Sequence, residues 1–285
     1  MIAQIAHEII ASQNKFSRTS KEMQLNLCFN YRRMLHQGMD LPKFDEVGFR
    51  VFSESDEDGI LHYIFSLIGT SNKKLVDIGS AGISISNTAN LLINHGWTGL
   101  LIEGNEERVK LSRKFYQQSE ETRNYPPKII NAWITRENIN KLLTDNKMEG
   151  DIDLLSIDID GIDYWVWKAM DVISPRVVVL EYQCIWGPDK SVTVPYSPDF
   201  KGGFIGQYGV YSGASLAAFV KLGREKGYRL VGCQRYGYNA FFIRNDVGTG
   251  IFPEIPAAEC FRHPFTQWAQ EELLPKVIER EWVEV

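Results

Sequence analysis

Cysteine is scarce in this chain of 285 residues: Cys28, Cys184, Cys233 and Cys260 stand alone, far from one another in sequence. That excludes a disulfide-stapled scaffold, and it leaves no zinc-type pair of close cysteines. Isolated thiols of this kind are usually buried and reduced, which fits a cytoplasmic protein. No run of about 18 apolar residues occurs, so no transmembrane helix is expected. The opening stretch MIAQIAHEIIASQNKF lacks a basic leader and carries Gln4, His7 and Glu8, so it makes a poor signal peptide. Positive charge is not in excess either: 31 Lys and Arg face 36 Asp and Glu, for a net charge of −5. A mildly acidic chain argues against broad contact with nucleic-acid phosphates. Internal repeats and low-complexity tracts are missing. With 44% hydrophobic and 24% charged residues, the composition excludes a mainly disordered or collagen-like chain.

What is present is an alternation of short apolar runs and amphipathic stretches. Residues 1–70 read as a helical cap. Ile2, Ile5, Ile9 and Ile10 recur at helix spacing, a second helix is expected over Ser20–His36, and a third over Asp56–Gly69 with acids in its first turn. Residues 71–250 then show apolar runs at Lys74–Gly79, Gly99–Glu103, Lys128–Ile134, Asp153–Ile159 and Arg176–Glu181. Helix-compatible stretches lie between them. Unbroken apolar runs suit strands buried on both faces of a parallel sheet, and the alternation implies a doubly wound α/β fold. Residues 183–212 are rich in Gly, Pro, Tyr and Ser, too long for a plain connection, and read as a substrate loop. Leu230–Cys233 and Ala240–Arg244, joined through Gly237, read as a closing hairpin. The expected architecture is therefore a Rossmann-like sheet of seven strands, mostly parallel with an antiparallel end, in the order of a class I methyltransferase. Residues 251–285 read as a helical tail, with a helix near Thr266–Arg280.

The first strand closes in LVDIGSAG. Gly79 and Gly82 allow a tight turn, with Ser80 between them and Asn87 just beyond, and Asp77 sits where open α/β sheets bind ligands. Glu103 ends the second strand, one β-α-β unit further on, where an acid accepts from both hydroxyls of a ribose. Together they indicate an adenosine ligand. The dinucleotide spacing G-x-G-x-x-G is not met, which favours S-adenosylmethionine, a ligand with no pyrophosphate to hold. Asn131 and Trp133, after the third strand, are candidates to bond or cover an adenine, or else are structural.

The most informative segment is DIDLLSIDIDGIDYWVW. Asp158 and Asp160, two apart, would share one strand face, and Glu181 ends the neighbouring strand. Three carboxylates at one cleft repel each other unless a cation or strong donors compensate, or one stays protonated. A divalent metal such as Mg2+ on Asp158, Asp160 and Glu181 is one expectation. Asp158 or Asp160 as general base is another, and turn and cap acids a third, with Asp163 capping a helix Tyr164–Met170. His263 in the tail is a further candidate base. Tyr182, Tyr196, Tyr208 and Tyr211 are candidates to stack on, or hydrogen-bond to, an acceptor.

Several segments resemble the FkbM-type methyltransferases, a branch of the class I S-adenosylmethionine-dependent enzymes. They are SESDEDGI (53–60), DIGSAGISISNT (77–88), GWTGLLIEG (96–104), ENIN (137–140), LLSIDIDGIDYWVW (154–167) and GPDKSVTVPY (187–196). The resemblance covers about residues 50–245. It implies methyl transfer to a hydroxyl, often of a sugar or natural-product building block, with Asp77, Gly79, Glu103 and Asp158 as site residues and Asp160 and Glu181 beside them. The turn SAGIS and the pair Ser55-Asp56 depart from the relatives. The implied function is an O-methyltransferase acting on a small sugar or glycan acceptor, and a homo-oligomer is compatible with it. The rival readings are a non-catalytic S-adenosylmethionine-binding protein and a nicotinamide-dependent oxidoreductase.

Overall fold

The computed structural model describes residues 21–79, 85–206 and 208–285. The helix expected around Ile2–Ile10, and the turn residues Ser80 and Gly82, lie outside the described residues. The chain forms two compact units, Met1–Ala132 and Trp133–Val285.

The first unit contains helix α1 (residues 21–36), α2 (Phe44–Val47), α3 (Glu57–Ile68), β1 (Lys74–Ile78), α4 (Ala89–Asn94), β2 (Thr98–Glu103), α5 (Glu106–Gln118) and β3 (Lys128–Asn131). β1 pairs in parallel with β2, and β2 with β3. The apolar run Leu75–Ile78 is buried throughout, which is why it shows no polar alternation. Helix α1 is tied down by polar bonds rather than by apolar burial alone. The Gln24 amide exchanges hydrogen bonds with that of Asn90 at 2.9 and 3.2 Å, and His62 Nε2 lies 2.8 Å from the Gln24 carbonyl. Burial lowers His62 to about 4 and His95 to about 3, so both rings are neutral at ordinary pH.

The acids read as helix-dipole partners in α3 do something more specific. Asp58 Oδ2 accepts from the backbone N–H groups of Val51, Phe52 and Ser53 at 2.7, 2.6 and 2.8 Å, and from Ser53 Oγ at 3.1 Å. A single buried carboxylate thus folds the segment ahead of the helix back onto it. Burial pushes the Asp58 carboxyl above its ordinary range, against the pull of these bonds.

The second unit contains α6 (Ile139–Asp145), β4 (Gly150–Ile157), α7 (Asp163–Ala169), β5 (Ile173–Glu181), β6 (Val192–Thr193), β7 (Gly203–Ile205), β8 (Tyr208–Tyr211), α8 (Leu216–Glu225), β9 (Tyr228–Cys233), β10 (Asn239–Arg244), α9 (Pro264–Glu272) and β11 (Val283–Glu284). β4 and β5 pair in parallel, while β10 runs antiparallel to both β5 and β9. The only acid facing the interior of β4, Asp153, is fully buried and neutralised by Arg176 at 2.7 Å.

The large sheet has the order β3-β2-β1-β4-β5-β10-β9. It is mostly parallel with an antiparallel end, as the pattern of apolar runs predicts. The tail differs from the expected single helix over Thr266–Arg280. Helix α9 stops at Glu272, a short 3-10 turn follows at Leu274–Lys276, and the chain ends in a strand. Pro275 explains the stop, because its ring and missing N–H break the helical hydrogen-bond ladder. The stretch 183–212 is likewise not a plain loop. Its β6 pairs with tail strand β11, and β7 and β8 form a hairpin.

Candidate functional site

In the first unit the expected ligand-binding turn follows β1. Gly79 has φ +84°, a left-handed conformation that a side chain strains, and its N–H still bonds Ile102 O at 2.9 Å. Asp77, at the end of β1, is buried. Its Oδ2 accepts from Thr88 Oγ1 at 2.6 Å and Ser86 Oγ at 3.2 Å, so it braces the return of the turn into α4. Asn87, between those two residues, is buried. Glu103 ends β2, half a turn before α5. One oxygen accepts from Asn105 N at 2.6 Å, and the other lies 4.0 Å from Arg108. An ionised carboxylate has about four acceptor positions, so two such contacts do not exhaust it. Asn131 is exposed, with its amide nitrogen spent on the carbonyls of Glu103 and Gly104, both at 2.9 Å.

In the second unit Asp158, Asp160 and Glu181 do converge. Each offers a carboxylate oxygen, and these oxygens all lie within 4.8 Å of one another. They meet by a route other than strand alternation. β4 ends at Ile157, so Asp158 and Asp160 stand on the turn beyond it, and Asp160 is left-handed at φ +51°. Asp residues tolerate that conformation better than most. The turn is held by Asp163, which accepts from Ile159 N at 2.9 Å and Gly161 N at 3.0 Å. Asp163 is thus a turn clamp and the first residue of α7, not the cap expected for a helix Tyr164–Met170. Burial pushes Glu181 well above the usual carboxylate range, and the neighbouring Asp158, Asp160 and Asp163 push it further.

Burial also raises Asp163, to about 6 from an ordinary 3.8. Because its proton is held more tightly in the folded state, stability falls as pH rises between those two values. We expect wild type to lose about 3 kcal/mol across that window relative to Asp163→Asn, whose side chain does not titrate. Urea unfolding at pH 4 and pH 7 checks this. Parallel pH profiles for the two proteins would contradict it.

The stretch 183–212 lies against this acidic turn. Gly213 N bonds Gly161 O at 2.7 Å, and Gln183 Nε2 ties Gly209 O and Ser212 Oγ at 2.8 and 2.9 Å. Gln183 and Asp163 are therefore part of the site's framework. The sequence singled out Asp163 only as a helix cap, and nothing local pointed to Gln183. Gly202 approaches so closely that an added Cβ would lie 2.5 Å from Asp160 O. Gly202→Ala should lift the β7–β8 hairpin off the turn and speed amide exchange at Gly213 about tenfold or more, with the sheet core unaffected. Unchanged exchange there would show that the hairpin does not depend on this approach.

The four tyrosines divide. Tyr196 carries Arg136 over its ring at 3.8 Å and donates its hydroxyl to Glu137. Tyr208 meets the rings of Phe265 and Trp268, and Tyr211 meets Trp282 at 5.2 Å while its hydroxyl donates to Glu281 O. The tail thus packs on the loop's aromatics. Tyr182 is only 2% exposed and bonds Cys260 O at 3.3 Å, which places it in the core beneath the tail rather than on an acceptor surface. His263 Nδ1 accepts from Phe265 N at 3.1 Å as the cap of α9, and its ring packs on Tyr236. Its lone pair at that nitrogen is committed to the helix. Trp133 is exposed and donates to Pro198 O at 2.7 Å.

No protein-family profile matches the sequence, and no curated protein matches it. Solved structures share the fold. An O-methyltransferase from Bacillus cereus in complex with SAH is 12% identical over 79% of this chain and 89% of its own, at a TM-score of 0.41. An O-methyltransferase family protein from Burkholderia thailandensis is 10% identical over 79% of this chain and 70% of its own, at 0.39. The magnesium protoporphyrin IX methyltransferase from Synechocystis with bound SAM is 12% identical over 66% of this chain and 77% of its own, at 0.38. At such values the likeness assigns neither family nor activity.

Proposed function

We propose that the chain is an S-adenosylmethionine-dependent O-methyltransferase of the FkbM type, acting on a hydroxyl of a sugar or glycan building block. The observation that carries this reading is the sheet itself. Its order, β3-β2-β1-β4-β5-β10-β9 with β10 antiparallel to both its neighbours, is the order expected of a class I methyltransferase, and an acid stands in the last two residues of each of two adjacent strands, Asp77 in β1 and Glu103 in β2. In the first unit, the Glu103 carboxylate accepts from the ribose hydroxyls, Gly79 lets the backbone come close, and Asp77 keeps the turn in place. Ser80, Gly82, Asn87 and Asn131 complete the proposed set of cofactor contacts in that unit.

When bound, the cofactor supplies a methyl group made electrophilic by its sulfonium sulfur. The protein's task is then mostly alignment, plus removal of one proton. In the second unit, Asp158 accepts that proton from the acceptor hydroxyl. Burial and the neighbouring acids disfavour the ionised form of Glu181 beside it, so the carboxylates need not all ionise together. Asp158, Asp160 and Glu181 also fit a hard divalent cation, since all offer oxygen within a small space, and such an ion would lower the acceptor's pKa. Tyr196, Tyr208 and Tyr211 offer rings and hydroxyls of the sort that bind polyhydroxylated acceptors.

Calorimetry with S-adenosylmethionine tests the cofactor reading, with saturable binding expected. No heat of binding at millimolar cofactor would overturn it. Transfer of labelled methyl to a panel of sugars and glycans tests the acceptor. For the metal, turnover that survives exhaustive chelation would remove the cation from the scheme and leave Asp158 as base.

A further inference from the structure

Three of the four cysteines, Cys184, Cys233 and Cys260, separated in sequence, gather around Tyr182 in the second unit. Cys233 ends β9, and Cys260 lies in the 3-10 turn Ala257–Phe261 that leads into α9. The Cys233 thiol sits 3.6 Å from the Cys260 carbonyl oxygen. The nearby Cys233 thiol, ahead of burial, raises Cys260 above the ordinary thiol range. Tyr182 joins them, donating to the same Cys260 carbonyl. Cys260 is 2% exposed and Cys184 is also buried, whereas Cys233 is half-buried. Burial pushes Cys184 up to about 12.

We propose that Cys233 and Cys260 form a redox-closable pair, a disulfide that fastens the C-terminal tail to the edge strand β9. With a peroxide as oxidant the atoms balance in two steps. The Cys233 thiolate attacks one peroxide oxygen, the O–O bond breaks, and the thiol's proton leaves with the other oxygen as water, giving a sulfenic acid. The Cys260 thiol then attacks that sulfur, forming the S–S bond and releasing a second water. Two thiols are oxidised by two electrons, and one peroxide is reduced to two waters.

The location gives the bond a consequence. The tail beyond Cys260 carries Phe265 and Trp268, whose rings rest on Tyr208 of the β7–β8 hairpin, and that hairpin covers the turn of Asp160. Closing the disulfide anchors α9 at its start and so holds the cover down. This inference does not depend on the methyltransferase reading.

The full chain is treated with hydrogen peroxide under native conditions, denatured, alkylated and digested without reductant. The expected product is one cross-linked pair of peptides, carrying Cys233 and Cys260, two hydrogens lighter than the free peptides and separated by dithiothreitol. C184S should leave the product intact, and C260S should replace it with a dimedone-trapped sulfenic acid at Cys233. Independent alkylation of both cysteines after oxidation, or a bond from Cys233 to Cys184 or Cys28, would overturn the pairing. Hydrogen exchange supplies the second readout: amides of α9 should exchange about tenfold more slowly in the oxidised protein. Equal exchange in both forms would overturn the fastening of the tail.

Discussion

Glu103→Ala weakens S-adenosylmethionine binding by about thirtyfold or more, on the proposed reading. A hydrogen bond to a charged group is worth about 1.5–3 kcal/mol, and the carboxylate would hold two ribose hydroxyls. The effect should exceed that of any other single change in the first unit's turn, because Asp77 spends its Oδ2 on Ser86 and Thr88. One complication is local. Glu103 also accepts from Asn105 N, the residue that caps α5, so alanine removes a support of that helix start as well. Glu103→Gln separates the two roles. Its amide oxygen can keep the Asn105 bond while the charge is lost, and the affinity should fall between wild type and alanine. Calorimetry reads both variants, with far-ultraviolet circular dichroism confirming that each is folded. Full affinity in a folded Glu103→Ala protein would place the ribose elsewhere.

The largest expected effect on stability is at Asp58. Its Oδ2 serves three backbone N–H groups and the Ser53 hydroxyl, and the residue is 1% exposed. Alanine would strand these donors away from water. Each buried donor left without a partner costs about 1–3 kcal/mol, and partial relaxation of residues 51–53 recovers some of that, so a net loss of about 3–5 kcal/mol is expected. Asp58→Asn keeps one acceptor of similar shape without the charge that burial already disfavours, and should lose clearly less. Urea titration of the three proteins gives the comparison. A loss below about 1 kcal/mol for Asp58→Ala would mean that the donors find other partners. Asp58 stands in the segment SESDEDGI, one of those that carry the family resemblance, and here its work is visibly the folding of backbone.

The strand order was legible in the sequence because the parallel strands are buried on both faces and write themselves as unbroken apolar runs. β1, β2, β4 and β5 fall within a few residues of the runs that announced them. The helix expected in the tail outruns α9 because the apolar spacing continues past Pro275, where local chemistry forbids a helix. The stretch 183–212 hid its strands for a different reason. β6, β7 and β8 are two to four residues long, too short for any period to show, and β6 exists only because tail strand β11 pairs with it.

The candidate site divides in the same way. Asp77, Glu103 and the glycine turn were visible because each stands at the end of an announced strand. Asp158, Asp160 and Glu181 were visible as residues, but not in their geometry. They meet because the chain turns left-handed at Asp160 and Asp163 clamps that turn, not because they alternate along a strand. The tail's part in the site had no local signal, since Tyr208 and Tyr211 gain their neighbours Phe265, Trp268 and Trp282 from more than fifty residues away. His263, one candidate base by residue type, caps α9 through Nδ1, which only the position of Phe265 N decides.

Composition and periodicity were enough to determine a doubly wound sheet with acids at its strand ends, because burial on two faces and tight turns are short-range demands that each segment meets alone. Tertiary structure alone decided which acids meet, what covers them, and that the scattered cysteines Cys184, Cys233 and Cys260 gather around Tyr182. Those outcomes depend on contacts between segments remote in the chain, and no local pattern carries the distance between two such residues.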